Sequence, residues 1–192
     1  MTRARWAAIT GATLFFVVGL ALGGSHPAPP APNGDTLGPD AGETPAAYAQ
    51  RAQRSVDAVA TVSEPVFGLI VFDAPLDAGS AASITEDVAR VNAMLTVGAR
   101  AEQLPEPLAN EDRAAAYERG FDQLNRHLAG SDFPPIEAMV GVVAYDTPQT
   151  FERIAEEEDV ASVELLPPDA AWGRFGIKAV PAPGEEPAGV DG

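Results

Sequence analysis

The side chains best suited to chemistry in this chain are carboxylates, and they fall in two groups. Asp73, Asp77 and Glu86 bracket a Gly79-Ser80 turn directly after an apolar run. That is the carboxyl end of an expected strand, a place where ligands commonly sit. Read as a calcium loop starting at Asp73, the third position is Pro75 and the twelfth is Ile84, so no bidentate carboxylate closes the coordination shell. The plainer reading makes these residues turn and cap groups. The alternatives are a ligand-binding turn at Asp73 and Asp77, or a carboxylate-based hydrolase using that pair, whose mark would be two acids with pKa values pushed apart in a cleft. The second group, Glu156-Glu157-Glu158-Asp159, ends an expected helix, where the dipole disfavours negative charge. It reads as a solvated turn, with calcium or a basic patch on a partner protein as the functional alternative.

The remaining reactive types are sparse. His127 sits among Leu124 and Leu128 on an expected helix, and no strained serine nucleophile, G-x-S-x-G, S-x-x-K or H-E-x-x-H accompanies it. No glycine-rich phosphate loop follows a strand. The chain has 0 cysteines, which removes disulfides, thiolate chemistry, zinc fingers and iron–sulfur clusters. Trp172, with Phe175 close by, is either a plug for one end of a sheet or an anchor for a partner. No cofactor and no metal is expected.

Charge narrows the partners. The chain carries 28 acids and 12 bases; setting aside Arg3 and Arg5 at the start leaves 10 bases against 28 acids, a net charge of −18 on the remainder. Such a surface repels nucleic acid and anionic lipid headgroups, so no nucleic acid is expected as a partner.

Residues 6–24 (WAAITGATLFFVVGLALGG) hold no ionisable group and as a helix would be about 28 Å long, enough to cross a bilayer. Arg3 and Arg5 flank one side while the next base is Arg51, which orients residues 1–5 to the cytoplasm and the rest outside. The expectation is a single-pass signal anchor that brings the chain to the cell membrane. The alternative is a secreted domain cleaved near Gly23, since Ala21-Leu22-Gly23 suits a signal peptidase. Residues 25–44 are dense in Pro and Gly and read as a spacer. Residues 45–180 are the expected extracytoplasmic domain, and 181–192 a disordered tail.

Within that domain, Thr44-Pro45 opens a helix over about 45–60, with Tyr48, Ala52, Val56 and Val59 on one face. Val66–Phe72 is a continuous apolar run and reads as a central strand. Ser83 and Glu86 form a capping-box pattern before Ile84, Val88, Val91 and Leu95 at helical spacing, which predicts a helix ending at Gly98. Asn110 is the expected cap of a longer helix carrying Tyr117, Phe121 and Leu124 and ending at Gly130. Ala138–Tyr145 reads as a strand, Thr147-Pro148 opens another helix, and Val160–Leu166 is a strand whose Ser162 and Glu164 alternate with Val163 and Leu165. A last strand is expected around Arg174–Val180. The fold class predicted is α+β: after the transmembrane helix, a small two-layer sandwich of about three to four strands with helices packed on one face.

One stretch, GVVAYDTPQTFERIAEEEDVASVELLP over residues 141–167, resembles the second half of the ferredoxin-like propeptide and inhibitor domains of subtilisin-type proteases. Thr147 and Pro148 fill the helix-opening places, and Val160, Val163 and Glu164 those of the closing strand. The first half departs from the family, because two helices are predicted where it has a helix and a strand. The resemblance implies the local fold and a binding role. The function favoured is therefore a membrane-anchored, extracytoplasmic, non-enzymatic module working through protein contacts, as accessory or sensor subunit of a cell-envelope complex. Its partner is then a membrane or envelope protein, met through Trp172, Phe175, Glu156, Glu157 and Glu158. A protease inhibitor is the alternative.

Overall fold

The structure, a computed structural model, describes residues 34–97 and 101–181. The described residues belong to one compact unit, and residues 1–31 lie outside them. The apolar stretch 6–24, and with it the expected transmembrane helix, falls in that undescribed part. Among the described residues no helix is long and apolar enough to cross a membrane.

The apolar run at 66–72 forms most of β2 (Val66–Leu76), the strand around which the domain is assembled. It pairs antiparallel with β5 (Met139–Asp146) on one side and with β6 (Val160–Leu165) on the other. Beyond β5 lie β3 (Arg90–Leu95) and the short β4 (Glu102–Gln103), giving the five-stranded order β4-β3-β5-β2-β6. The helix α2 (Ala78–Ile84) connects β2 to β3, and α4 (Pro148–Ile154) connects β5 to β6. Each connection skips one antiparallel strand, so the domain is two interleaved split β-α-β units. Between β3 and β5 the chain departs from that plan over residues 96–138, where it forms β4 and the long helix α3 (Arg113–Leu128).

The expectation of three to four strands with one covered face is corrected here. Among the described residues the main sheet has five strands, and both its faces are buried. On one, Ile70, Phe72, Met94 and Val142 pack under Tyr117, Phe121, Phe151 and Ile154 of the helices. On the other, Phe67, Leu69, Leu95 and Val143 are covered by Leu37, Tyr48, Leu166 and Val180, with Trp172 and Phe175 beside them. This second cover is no helical layer: β1 (Thr36–Leu37) and β7 (Gly176–Ile177) form a two-stranded parallel ribbon of their own. Part of the segment read as spacer thus belongs to the domain, since Leu37 is fully buried.

The helix predicted to run from Ser83 to Gly98 is also corrected. Asp77 caps α2, which has ended by Thr85, and Ser83 lies inside it. Residues 90–95 are strand. A shift in the β3–β5 register between Val91 and Ala93 places Asn92 in a bulge, which breaks period two and lets the apolar spacing imitate a helix. Gly98 itself lies outside the described residues. Asn110 is likewise not a cap; it turns the chain with a φ of 72°, and Asp112 caps α3 through the Ala115 amide at 2.9 Å.

The helix α1 (Pro45–Val59) forms as expected, with the Thr44 hydroxyl accepting from the Ala47 amide and Tyr48, Ala52, Val56 and Val59 buried. It lies along β6, an edge strand whose free backbone groups would otherwise invite pairing with another chain. The Leu165 N–H donates to Ser55 Oγ on α1 at 2.8 Å. Glu164, expected to face solvent, is 4% exposed. Its carboxylate accepts from the Gly38 N–H at 2.7 Å, from the Tyr48 hydroxyl at 3.1 Å and from Arg51. Arg51 also binds Glu43 and donates to the Gly38 carbonyl at 3.0 Å.

Glu164→Ala should strand the Gly38 amide, the Tyr48 hydroxyl and one face of Arg51. We expect a loss of about 2–3 kcal/mol in urea unfolding, below the ~3–5 of a fully buried pair because Arg51 keeps Glu43 and water access. The hydrogen bonds from Arg51 hold the Glu43 carboxyl down at about 2, against an ordinary 4.5. A depressed acid stabilises fully above its unfolded value, so this contribution should be complete above pH 4.5 and drain away as pH falls toward 2. Glu43→Gln should flatten that limb of a stability-against-pH curve.

Candidate functional site

The inserted segment 96–138 has to leave β3, cross over as α3 and return to start β5. Its return fixes a groove at the sheet end where β2 and β3 finish and β5 begins. After α3, Gly130 takes a φ of 89° and the chain doubles back, with the Ser131 amide and hydroxyl both donating to the Leu128 carbonyl at 3.0 and 2.7 Å. Asn125 then holds the returning strand from the helix. Its Nδ2 donates to the Ile136 carbonyl at 2.9 Å and its Oδ1 accepts the Ile136 N–H at 2.8 Å, so one side-chain amide answers both backbone groups of a single residue. Pro134 and Pro135, with φ locked by their rings, stiffen the loop between these two anchors.

The resulting groove has a volume of about 480 Å³ and is walled by Pro75, Val97, Leu128, Phe133 and Ile136. Among the described residues Glu137 is the one charged side chain in its lining. Thr96 lies beside it, 3% exposed, with a hydroxyl that has no hydrogen-bond partner among the described residues. Phe133 is 72% exposed, Val97 46% and Leu108 64%, and these are the large apolar side chains most open to water among the described residues. All three lie in the insertion. Exposed apolar residues scattered singly are ordinary, but two of these flank one apolar groove on a domain whose sheet is sealed on both faces.

The residues singled out from sequence lie elsewhere. Asp77 accepts from the Ser80 N–H at 2.8 Å as the α2 cap, and that bond draws its pKa below the usual carboxylate range. Asp73 is exposed on β2, its N–H donating to the Asp159 carbonyl at 2.9 Å, and neither aspartate lines the groove. Among the described residues no group of three or more His, Asp or Glu side chains could hold a metal ion. Glu156, Glu157 and Glu158 are exposed on the turn after α4. Trp172 and Phe175 are half-buried and close on each other and on Phe67, with ring centroids 5.8, 5.8 and 5.2 Å apart, while Phe67 meets Tyr145 at 4.6 Å. That aromatic group covers the second face of the sheet. His127 is exposed in the last turn of α3.

Sequence reasoning missed Phe133, Val97 and the Asn125 clamp. The local signal for Phe133 was present in SDFPPIE, where a large aromatic precedes two prolines in an otherwise polar turn. The groove itself joins residues from 75 to 138 and has no local pattern. Protein-family models, curated proteins and solved structures contain no match to the chain.

Replacing Asn125 by Ala should free both backbone groups of Ile136. We expect a loss of about 1–2 kcal/mol and faster amide exchange at Ile136. Phe133→Ser should stay within about 0.5 kcal/mol of the parent, because so much of the ring is already in water. Thermal unfolding followed by circular dichroism separates the two.

Proposed function

We propose that this protein is a non-enzymatic module held at the outer face of the cell membrane and acting through protein contacts, with the insertion 96–138 as its contact surface. The observation that carries this reading is the distribution of exposed apolar side chains. The scaffold buries its own, including both faces of the sheet, while Val97, Leu108 and Phe133 stay open on the one segment that lies outside the plan of the two split β-α-β units. Binding functions are commonly grafted in this way onto a rigid frame. The placement outside the cytoplasm rests on the charge asymmetry around residues 6–24 and is part of the proposal.

The interleaved topology gives some support to a propeptide- or inhibitor-like module, since β3 occupies the place of the strand that was hidden in the sequence. Docking by the open face of its sheet is another matter. Here that face lies beneath Leu37, Tyr48, Leu166 and Val180, and exposing it would cost the burial of Phe67, Leu69 and Val143. The contact therefore falls to the insertion.

Chemical crosslinking of the full-length protein in its native membrane, followed by mass spectrometry, should recover one dominant membrane or envelope partner. Phe133→Ser should lose that product without loss of the protein. An unchanged product with Phe133→Ser, or no stoichiometric partner at all, would overturn the proposal.

A further inference from the structure

Resting on that contact surface, we infer that the groove at Phe133 takes a large apolar side chain from a partner segment flanked by lysines or arginines. The hydrogen-bonding inventory of the groove's own wall points there. Along residues 133–136 the Phe133 N–H is directed to Ser131 Oγ at 3.4 Å, Pro134 and Pro135 have none, and the Ile136 N–H is consumed by Asn125. With the Ile136 carbonyl taken by Asn125, what this wall offers is acceptors: the backbone carbonyls of residues 133–135, with the exposed carboxylates of Asp132 and Glu137 at its two ends. Among the described residues no lysine, arginine or histidine lines the groove. A partner that fits must bring donors and positive charge around an apolar centre.

The global charge selects the same occupant. A second copy of the chain, with formal net charge −16, would meet like charge. Anionic lipid and nucleic acid are repelled by the same field. A volume of about 480 Å³ is in the range of pockets that enclose a small ligand or a few side chains, so one or two large residues of a peptide can enter while its cationic flanks remain at the rim.

The test uses the full-length chain in neutral detergent and fluorescence anisotropy of short labelled peptides. One has a Leu-Phe-Leu centre with paired lysines on both sides, a second exchanges the lysines for glutamates, and a third keeps the lysines around a Ser-Gly-Ser centre. The first should bind about tenfold or more tightly than either other. Phe133→Ser and Glu137→Lys should each weaken it by a similar factor, while neutralising Glu156, Glu157 and Glu158 together as glutamines should leave it unchanged. Equal binding of the lysine- and glutamate-flanked peptides, both weakened by Phe133→Ser, would overturn the cationic partner while the groove survives as a contact site. Indifference to Phe133→Ser would overturn both. Loss on neutralising the Glu156–Glu158 run, with none at Phe133, would assign the attraction to general acidity and sink the inference.

Discussion

Glu164 places a carboxylate on an edge strand, with 4% of its surface left to water. A charge so buried is tolerated only when donors and an opposite charge meet it, and three groups from two parts of the chain supply them. The Gly38 amide comes from the segment preceding α1, the Tyr48 hydroxyl and Arg51 from α1 itself. Burial beside that carboxylate pushes the Tyr48 hydroxyl pKa well upward, so the tyrosine stays a neutral donor. Meeting these demands lays α1 along the free edge of β6 and draws Leu37 into the second core. From there the Leu37 carbonyl accepts the Lys178 amide at 2.8 Å, and β1 pairs with β7. Satisfying one acid thus fastens the entering segment and the last strand of the domain over the sheet face that would otherwise stand open.

The functional reading follows from that closure. A sheet with an open face has an obvious docking surface; a sheet covered on both faces must present its contacts elsewhere. In the proposed reading the segment 96–138 is where this chain does so, although the insertion is not a mere appendage. Tyr117 and Phe121 of α3 are core residues, and the Tyr117 hydroxyl is paired with Thr85 at 2.8 Å, its pKa pushed up to about 12 by burial. Gly120 lets α3 approach closely, since a Cβ there would come within 2.7 Å of Met94 and 2.8 Å of Leu104. The inner face of the helix is therefore built into the scaffold, while its C-terminal end and the Phe133–Ala138 return carry the groove. Rigidity on one side and exposure on the other are what a contact site needs.

Much of this architecture was legible from local signals. Thr44-Pro45 and Thr147-Pro148 open helices as read, and the apolar runs at 66–72 and 138–145 are strands. Failures occurred where two periods compete or where the deciding contact is distant. Ile84, Val88, Val91 and Leu95 fit a helix because the bulge at Asn92 shifts the strand by one residue. Glu164 alternates with Val163 and Leu165 as a solvent-facing residue should, and only residues more than a hundred positions away make its burial tolerable. The groove is illegible for the same reason: its walls come from β2, the two residues after β3, α3 and the return to β5, and no single window of sequence holds them together.

The central claim is that partner contact is confined to the insertion, and a photocrosslinking amino acid placed one site at a time in the full-length protein in its native membrane tests it most directly. Positions 97 and 133 should each trap the same partner, while positions 157, 172 and 175 should trap none. A partner captured from positions 172 and 175 with nothing from 97 and 133 would contradict the account and return the contact surface to the aromatic cover of the sheet.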